Sequence, residues 1–132
     1  MKFSYHVHST FSDGKNSIEE IISYAKKIGL DELGISDHFH IPVIKNDPNI
    51  SPYDMQLEQL DNYIDSIIQY RSFENPKIKL GLEVEFVPET AEQLKKEVSK
   101  RPFDYIIGSI HMTDKFIIDM PQEKLPANFC TD

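Results

Sequence analysis

Short β-patterned runs alternate with amphipathic helical ones along this chain, and that alternation constrains its fold more than any other feature. Segment 2–8 places Phe3, Tyr5 and Val7 on one face of a strand and Ser4, His6 and His8 on the other. A helix is predicted next. Ser17 and Glu20 form an S-x-x-E capping box, Ile18, Ile21, Ile22, Ala25 and Ile28 make one apolar stripe, and Gly29 suits the position just past its end. Residues 32–37 read as a second strand, and the Pro/Asn/Asp-rich stretch 41–51 as a loop long enough to border an active site or form a lid. Ser51-Pro52 opens a long helix to about residue 71, with Leu57, Leu60, Ile64, Ile67 and Ile68 on one face. Segment 77–86 is the clearest strand, carrying Ile78, Leu80, Leu82, Val84 and Phe86 outward and Lys79, Gly81, Glu83 and Glu85 on the opposite face. A helix over 89–100, with Ala91, Leu94 and Val98, stops before Pro102, and a fourth strand over 104–110 ends at His111. The last twenty residues, with Pro121 and Pro126, read as loop.

The order βαβαβαβ implies parallel strands joined by right-handed crossovers, an α/β fold whose functional groups collect at the carboxyl ends of the strands. A chain of 132 residues, 39% hydrophobic and 27% charged, suffices for one domain with a real core. It is too short for a complete (β/α)8 barrel of about 250 residues.

The net charge of −8, with no Lys/Arg stripe to neutralise phosphates, speaks against a nucleic-acid partner. A phosphorylated small substrate stays open, because bound cations reverse local charge. The single cysteine, Cys130, cannot form an intrachain disulfide, so a reducing cytoplasm is the expected compartment. The opening MKFSYHVHSTFSDG has no apolar core of a secretory signal, and no apolar run approaches the roughly 20 residues of a membrane span.

The chemically able residues fall at the predicted strand ends: His6 and His8 on the first, Asp37, His38 and His40 on the second, Glu83 and Glu85 on the third, His111 on the fourth. Small residues below them (Ser4, Gly34, Ser36, Gly81 and Ser109) are expected to leave room for a cavity. A lone histidine at a strand end is ordinarily a satisfied polar residue, and exposed glutamates on strands are common. Several imidazoles and carboxylates brought to one rim without a cation, however, would suffer desolvation and like-charge repulsion. Mixed His and carboxylate donors without thiolates suit zinc, manganese or iron. Such a site activates water and clamps phosphoryl oxygens, the chemistry of metal-assisted phosphoester hydrolysis. No nucleophile elbow, P-loop or G-x-G-x-x-G fingerprint competes, and the adjacent Ser36-Asp37-His38 cannot form a triad across space.

These residues also carry a family likeness. The run His6-Val7-His8-Ser9-Thr10-Phe11-Ser12-Asp13-Gly14 resembles the H-x-H-[ST]-x-x-S-x-G opening motif of the PHP (polymerase and histidinol phosphatase) superfamily. Ser36-Asp37-His38 resembles its second motif, Gly81-Leu82-Glu83-Val84-Glu85 its G-x-E block, and Gly108-Ser109-Ile110-His111 its G-S-x-H block. With Ile118-Asp119-Met120-Pro121 following, the pattern is most similar to histidinol-phosphatases. The resemblance implies a distorted, TIM-like (β/α)7 barrel, of which residues 1–132 would be one domain holding the N-terminal half to two-thirds. It implies up to three divalent metals (Zn, Mn or Fe) in the complete site. His6, His8, Asp13, His38, Glu83 and His111 would be ligands, Glu83 bridging two ions. Glu83, His111 and Asp37 are the candidates for catalytic roles, with Asp37 orienting His38 or a neighbour. His40 and Glu85 would stand behind the ligands or face the substrate.

The activity implied is hydrolysis of a phosphate monoester through metal-activated water, histidinol phosphate to histidinol in histidine biosynthesis. Lys115, Arg71 and Arg101 are the cations available for its phosphate. The family continues with another histidine and an Asp-x-His motif, which are absent from this sequence. The alternative expectation is therefore a catalytically weak metal-binding half-domain. It would need its missing C-terminal part or a partner, including self-association through exposed sheet edges. A PHP exonuclease is a third reading, disfavoured by the acidic composition.

Overall fold

The computed structural model describes residues 1–43 and 54–111. In chain order these form β1 (Phe3–Ser4), α1 (Ile18–Lys27), β2 (Glu32–Ile35), β3 (His38–Phe39), α2 (Leu60–Ile68), β4 (Lys77–Glu85), α3 (Ala91–Ser99) and β5 (Tyr105–Ser109). Short 3-10 turns at Leu57–Gln59 and Pro88–Thr90 lead into α2 and α3.

Among the described residues, every pairing between these strands is parallel. β2 and β3 run along one edge of β4 in a single unbroken register, Ile35 opposite Leu80 and His38 opposite Glu83. They are one strand line interrupted at Ser36-Asp37, and the Glu83 amide still donates to the Asp37 carbonyl across the break at 3.1 Å. The spatial order is therefore β1, then β2 with β3, then β4, then β5, the sequence-predicted βαβαβαβ arrangement. It curls as part of a TIM-like barrel.

Helix α1 forms where its cap demands it. The Ser17 hydroxyl accepts from the Glu20 amide at 3.2 Å and the Glu20 carboxylate from the Ser17 amide at 2.8 Å, a pair worth about 1 kcal/mol. Its stripe buries Ile18, Ile22 and Ala25 against Leu33 and Ile35. On the same outer face of the sheet, Ile78, Leu80, Leu82 and Val84 are covered by Leu60, Tyr63, Ile64 and Ile67 of α2 and Leu94 of α3.

Three elements differ from their predicted extents, the first being the second strand, which stops at Ile35 rather than at residue 37. Helix α2 starts later than residue 51. Met55 is fully buried beside Phe39, its amide bonded to the His38 carbonyl at 3.0 Å, so the chain runs along β3 before it can turn. The Ser51-Pro52 opening and most of the 41–51 loop lie outside the described residues. Strand β1 ends at Ser4, and beyond it the expected alternation fails. Tyr5 turns inward to Glu32 and packs edge-on against Tyr105, yet His6 and His8 also turn inward, to Glu83.

The cavity expected above the small residues is instead a packed floor. Tyr105 lies across β4 and β2, and its hydroxyl donates to the Tyr5 carbonyl at 2.6 Å. A Cβ at Gly34 or Gly81 would stand 2.2 Å from the Tyr105 side chain, so glycine there makes room for that ring rather than for a ligand. Burial pushes the Tyr105 phenol up to about 12.

Candidate metal centre

At the carboxyl ends of the strands, the structure brings His6, His8, Asp13, His38, Glu83 and His111 together, their nitrogens and carboxylate oxygens falling into three overlapping groups. Glu83 is the hub. It is 3% exposed, and its Oε2 lies 2.9 Å from His6 Nε2, 2.9 Å from His8 Nε2 and 3.1 Å from His38 Nδ1. Its Oε1 lies 3.7 Å from His111 Nε2. Strand register explains the convergence, since His38 sits directly opposite Glu83, and β5 places His111 just past Ser109, the partner of Glu85.

Carboxylates also hold two of the rings. His111 Nδ1 and Glu85 Oε2 are 2.7 Å apart, and Glu85 Oε1 accepts the His111 amide at 2.7 Å. His8 Nδ1 and Asp13 Oδ1 are 2.8 Å apart. With each Nδ1 as the donor, both rings aim the lone pair of Nε2 at Glu83. Burial raises the Glu83 and Asp13 carboxyls, but it is outweighed. When the rings are protonated, the hydrogen bond from His6 and the charges of His38, His6 and His8 hold Glu83 below its ordinary range. Those of His8 and His38 do the same for Asp13.

Hydrogen bonding leaves one close contact of this packing unexplained. The Nε2 of His8 is buried and 2.9 Å from an anionic oxygen, yet has no hydrogen-bond partner among the described residues. A lone pair facing a carboxylate is repulsive unless a cation lies between them. The N/O donor set suits a divalent transition ion, so the residues fit the expected metal.

The other candidates fall elsewhere. The Asp37 carboxylate is bonded to Ser9 and Ser12 rather than to His38. It is fully buried beneath the 9–12 turn, where Ser9 and Ser12 occupy its oxygens. His40 is 3% exposed and lies outside the cluster, its Nδ1 3.6 Å from Asp54. Arg71 is bound to Pro102 and Asp104, and Arg101 to Asp61 and Glu97, so neither faces the site; Lys115 lies outside the described residues. Lys15 was missed. It lines an open cavity of about 550 Å³ with His6, His8, Asp13 and Gly14, and its place two residues after Asp13 was the available signal. Tyr63 was missed as well. At the break between β2 and β3 its hydroxyl lies 2.9 Å from the Ile35 carbonyl and 2.8 Å from that of Gly81, and accepts from the Asp37 amide at 3.3 Å. Its position in the apolar stripe of α2 was the clue, because a buried phenol requires a partner.

Residues 4–128 match the family model described as the PHP domain. The chain belongs to the PHP domain family. A probable histidinol-phosphatase of Clostridium acetobutylicum is 36% identical over 113 residues, covering 85% of this chain and 40% of that protein. Another from Deinococcus radiodurans is 32% identical over 105 residues, covering 78% of this chain and 39% of that one. Among solved structures, the fold is similar to histidinol phosphate phosphatase from Lactococcus lactis complexed with zinc, L-histidinol and phosphate. There the TM-score is 0.74 at 26% identity, over 89% of this chain and 43% of that one. This PHP chain thus spans about 40% of the length of the curated relatives it matches. Among the described residues, no helix is long and apolar enough to cross a membrane.

Proposed function

We propose that this chain supplies the N-terminal metal-binding rim of a PHP phosphatase that hydrolyses a phosphate monoester, with histidinol phosphate as the substrate. The observation that carries the reading is Glu83 Oε2, with three imidazole nitrogens within 3.1 Å and one of them without a hydrogen bond. The relatives named histidinol-phosphatases, and the zinc, histidinol and phosphate of the Lactococcus structure, support the substrate class.

In this reading His6, His8, Asp13, His38, Glu83 and His111 are the metal ligands, Glu83 central among them. A divalent ion held there lowers the pKa of a water and offsets charge on the phosphoryl oxygens. Glu85 keeps the His111 ring turned toward Glu83, and Asp13 does the same for His8. Lys15 borders the open cavity beside these groups and offers a cation to the phosphate.

The test is phosphate release from histidinol phosphate by the zinc- or manganese-loaded chain, abolished by chelator and by Glu83→Gln. A chain that binds no metal would overturn the reading.

A second reading rests on the open sheet. Phe3 in β1, Ile106 in β5, and Phe86 and Ile110 beside β5 are exposed where neighbouring barrel strands would add. Metal binding without turnover, with phosphatase activity appearing only when C-terminal βα units like those of the relatives are supplied, would favour a half-domain that needs completion.

A further inference from the structure

We infer that Asp37 is a positioning residue for one part of the metal centre, acting through the turn that carries Asp13; this rests on the metal-site reading above. Asp37 is fully buried, and three donors converge on its carboxylate: the Ser9 amide at 2.7 Å, the Ser9 hydroxyl at 2.7 Å and the Ser12 hydroxyl at 2.6 Å. Ser9 is itself fully buried, and its hydroxyl also accepts the Phe11 amide at 3.2 Å. The backbone closes around the same point, with the Ser12 and Gly14 amides both donating to the Ser9 carbonyl, at 3.1 and 2.9 Å.

The turn has no slack. A Cβ on Gly14 would lie 2.2 Å from the His8 carbonyl oxygen. Asp13 sits between Ser12 and Gly14, both held this way, and its own carboxylate is 45% exposed. It reaches His8 Nδ1 at 2.8 Å and stands 3.6 Å from His38 Nε2. Besides those two rings, the Ser12 hydroxyl stands 3.5 Å from Asp13 Oδ1, itself part of the turn, so the aim of this exposed side chain depends on the turn, and the turn is anchored on Asp37.

Asp37 is anchored in its turn by the interruption between β2 and β3. Its amide is held by the Tyr63 hydroxyl and its carbonyl by the Glu83 amide, which turns the carboxylate under the H-x-H-S-x-x-S motif. The same segment then delivers His38 back into register opposite Glu83. One buried carboxylate thereby ties the first two strand ends into a single unit.

The test is zinc titration of the chelator-treated 132-residue chain against a chromophoric competitor, together with imidazole nitrogen NMR of His8 in the metal-free protein. Asp13→Asn is expected to weaken one class of zinc sites. Asp37→Asn is expected to weaken that same class by about 10- to 100-fold, the range for groups that orient metal ligands. The double variant should fall no further than Asp13→Asn alone. Both single variants should shift His8 away from the Nδ1–H form. Ser12→Ala, which removes one of the three donors to Asp37 together with the 3.5 Å contact to Asp13, should give a smaller loss in the same class. Leu94→Ala, destabilising but remote, should leave zinc affinity unchanged.

If the parent chain binds no zinc, the metal reading fails. If it binds zinc while folded Asp37→Asn or Ser12→Ala keeps the Asp13-dependent class at full strength, this inference is wrong. Strict additivity of the Asp13 and Asp37 losses would overturn it too.

Discussion

Substituting Gly81 by alanine tests the floor beneath the candidate metal centre. An ideal Cβ there lies 2.2 Å from Tyr105 Cζ, 2.5 Å from its hydroxyl and 2.6 Å from Cε2. Carbon atoms pack at about 3.5–4.0 Å, so the ring must retreat by more than an ångström. Its hydroxyl cannot follow and still reach the Tyr5 carbonyl at 2.6 Å. Overpacking costs about 1–3 kcal/mol and the lost hydrogen bond about 1 kcal/mol, so Gly81→Ala should destabilise the fold by about 2–4 kcal/mol. Domains of this size are stable by only about 5–15 kcal/mol, and the melting temperature should fall by on the order of 10 °C.

Urea and thermal unfolding of Gly81→Ala, Tyr105→Leu and the double variant would measure this as a cycle. With the ring removed, alanine should become neutral or stabilising by up to about 1 kcal/mol, because glycine is the poorer strand residue. A change of sign between backgrounds is the signature expected. An alanine equally costly in both would show that the ring is not what glycine accommodates. Since Glu83 lies two residues further along β4 on the same inner face, Gly81→Ala should also weaken zinc binding, and the cycle should restore it.

Tyr63→Phe should cost about 2 kcal/mol in urea unfolding, because it leaves the buried Ile35 and Gly81 carbonyls without the phenol between them; a loss below about 0.5 kcal/mol would refute that role. The Tyr105 phenol, pushed up to about 12 by burial, ionises near 10 in the unfolded chain. Its contribution to stability is thus fully present below pH 10 and lost as pH rises from 10 to 12. Tyr105→Phe should flatten that alkaline limb in pH-dependent melts, and no change of slope would refute the assignment. Lys15→Met should weaken inorganic phosphate binding to the zinc-loaded chain by about 10- to 100-fold, as loss of a charge-assisted hydrogen bond predicts. Calorimetry would measure it, and unchanged phosphate affinity would remove Lys15 from the site.

Local chemistry carried much of the fold. Ser17 and Glu20 cap α1 as the S-x-x-E pattern requires, and the alternation of Lys77–Glu85 alone specifies β4. The convergence of the candidate ligands at one end of the sheet follows from one topological rule, that functional groups in parallel α/β sheets gather at carboxyl ends. What the pattern could not supply were contacts between elements distant in sequence. Nothing in residues 51–56 announces that Met55 must first pair beside Phe39, so the predicted α2 began too early. Nothing near Gly34 or Gly81 says that a ring from residue 105 will cover both.

The failures have a common cause, and it lies beside the candidate metal centre. A period of two assigns side chains to faces only while the backbone remains a regular strand. At the ends of β1 and β2 it does not. Tyr5 and His6 turn to the same side, and Ser36-Asp37 steps out of the ladder while His38 returns to it. The breaks are held by the Tyr63 hydroxyl, which accepts the Asp37 amide, and by the Asp37 carboxylate, which accepts the Ser9 amide. The donors could be read from the sequence because their chemistry belongs to single residues. The groups that hold the breaks open could not, because a buried tyrosine or aspartate declares its role only through the partner it meets.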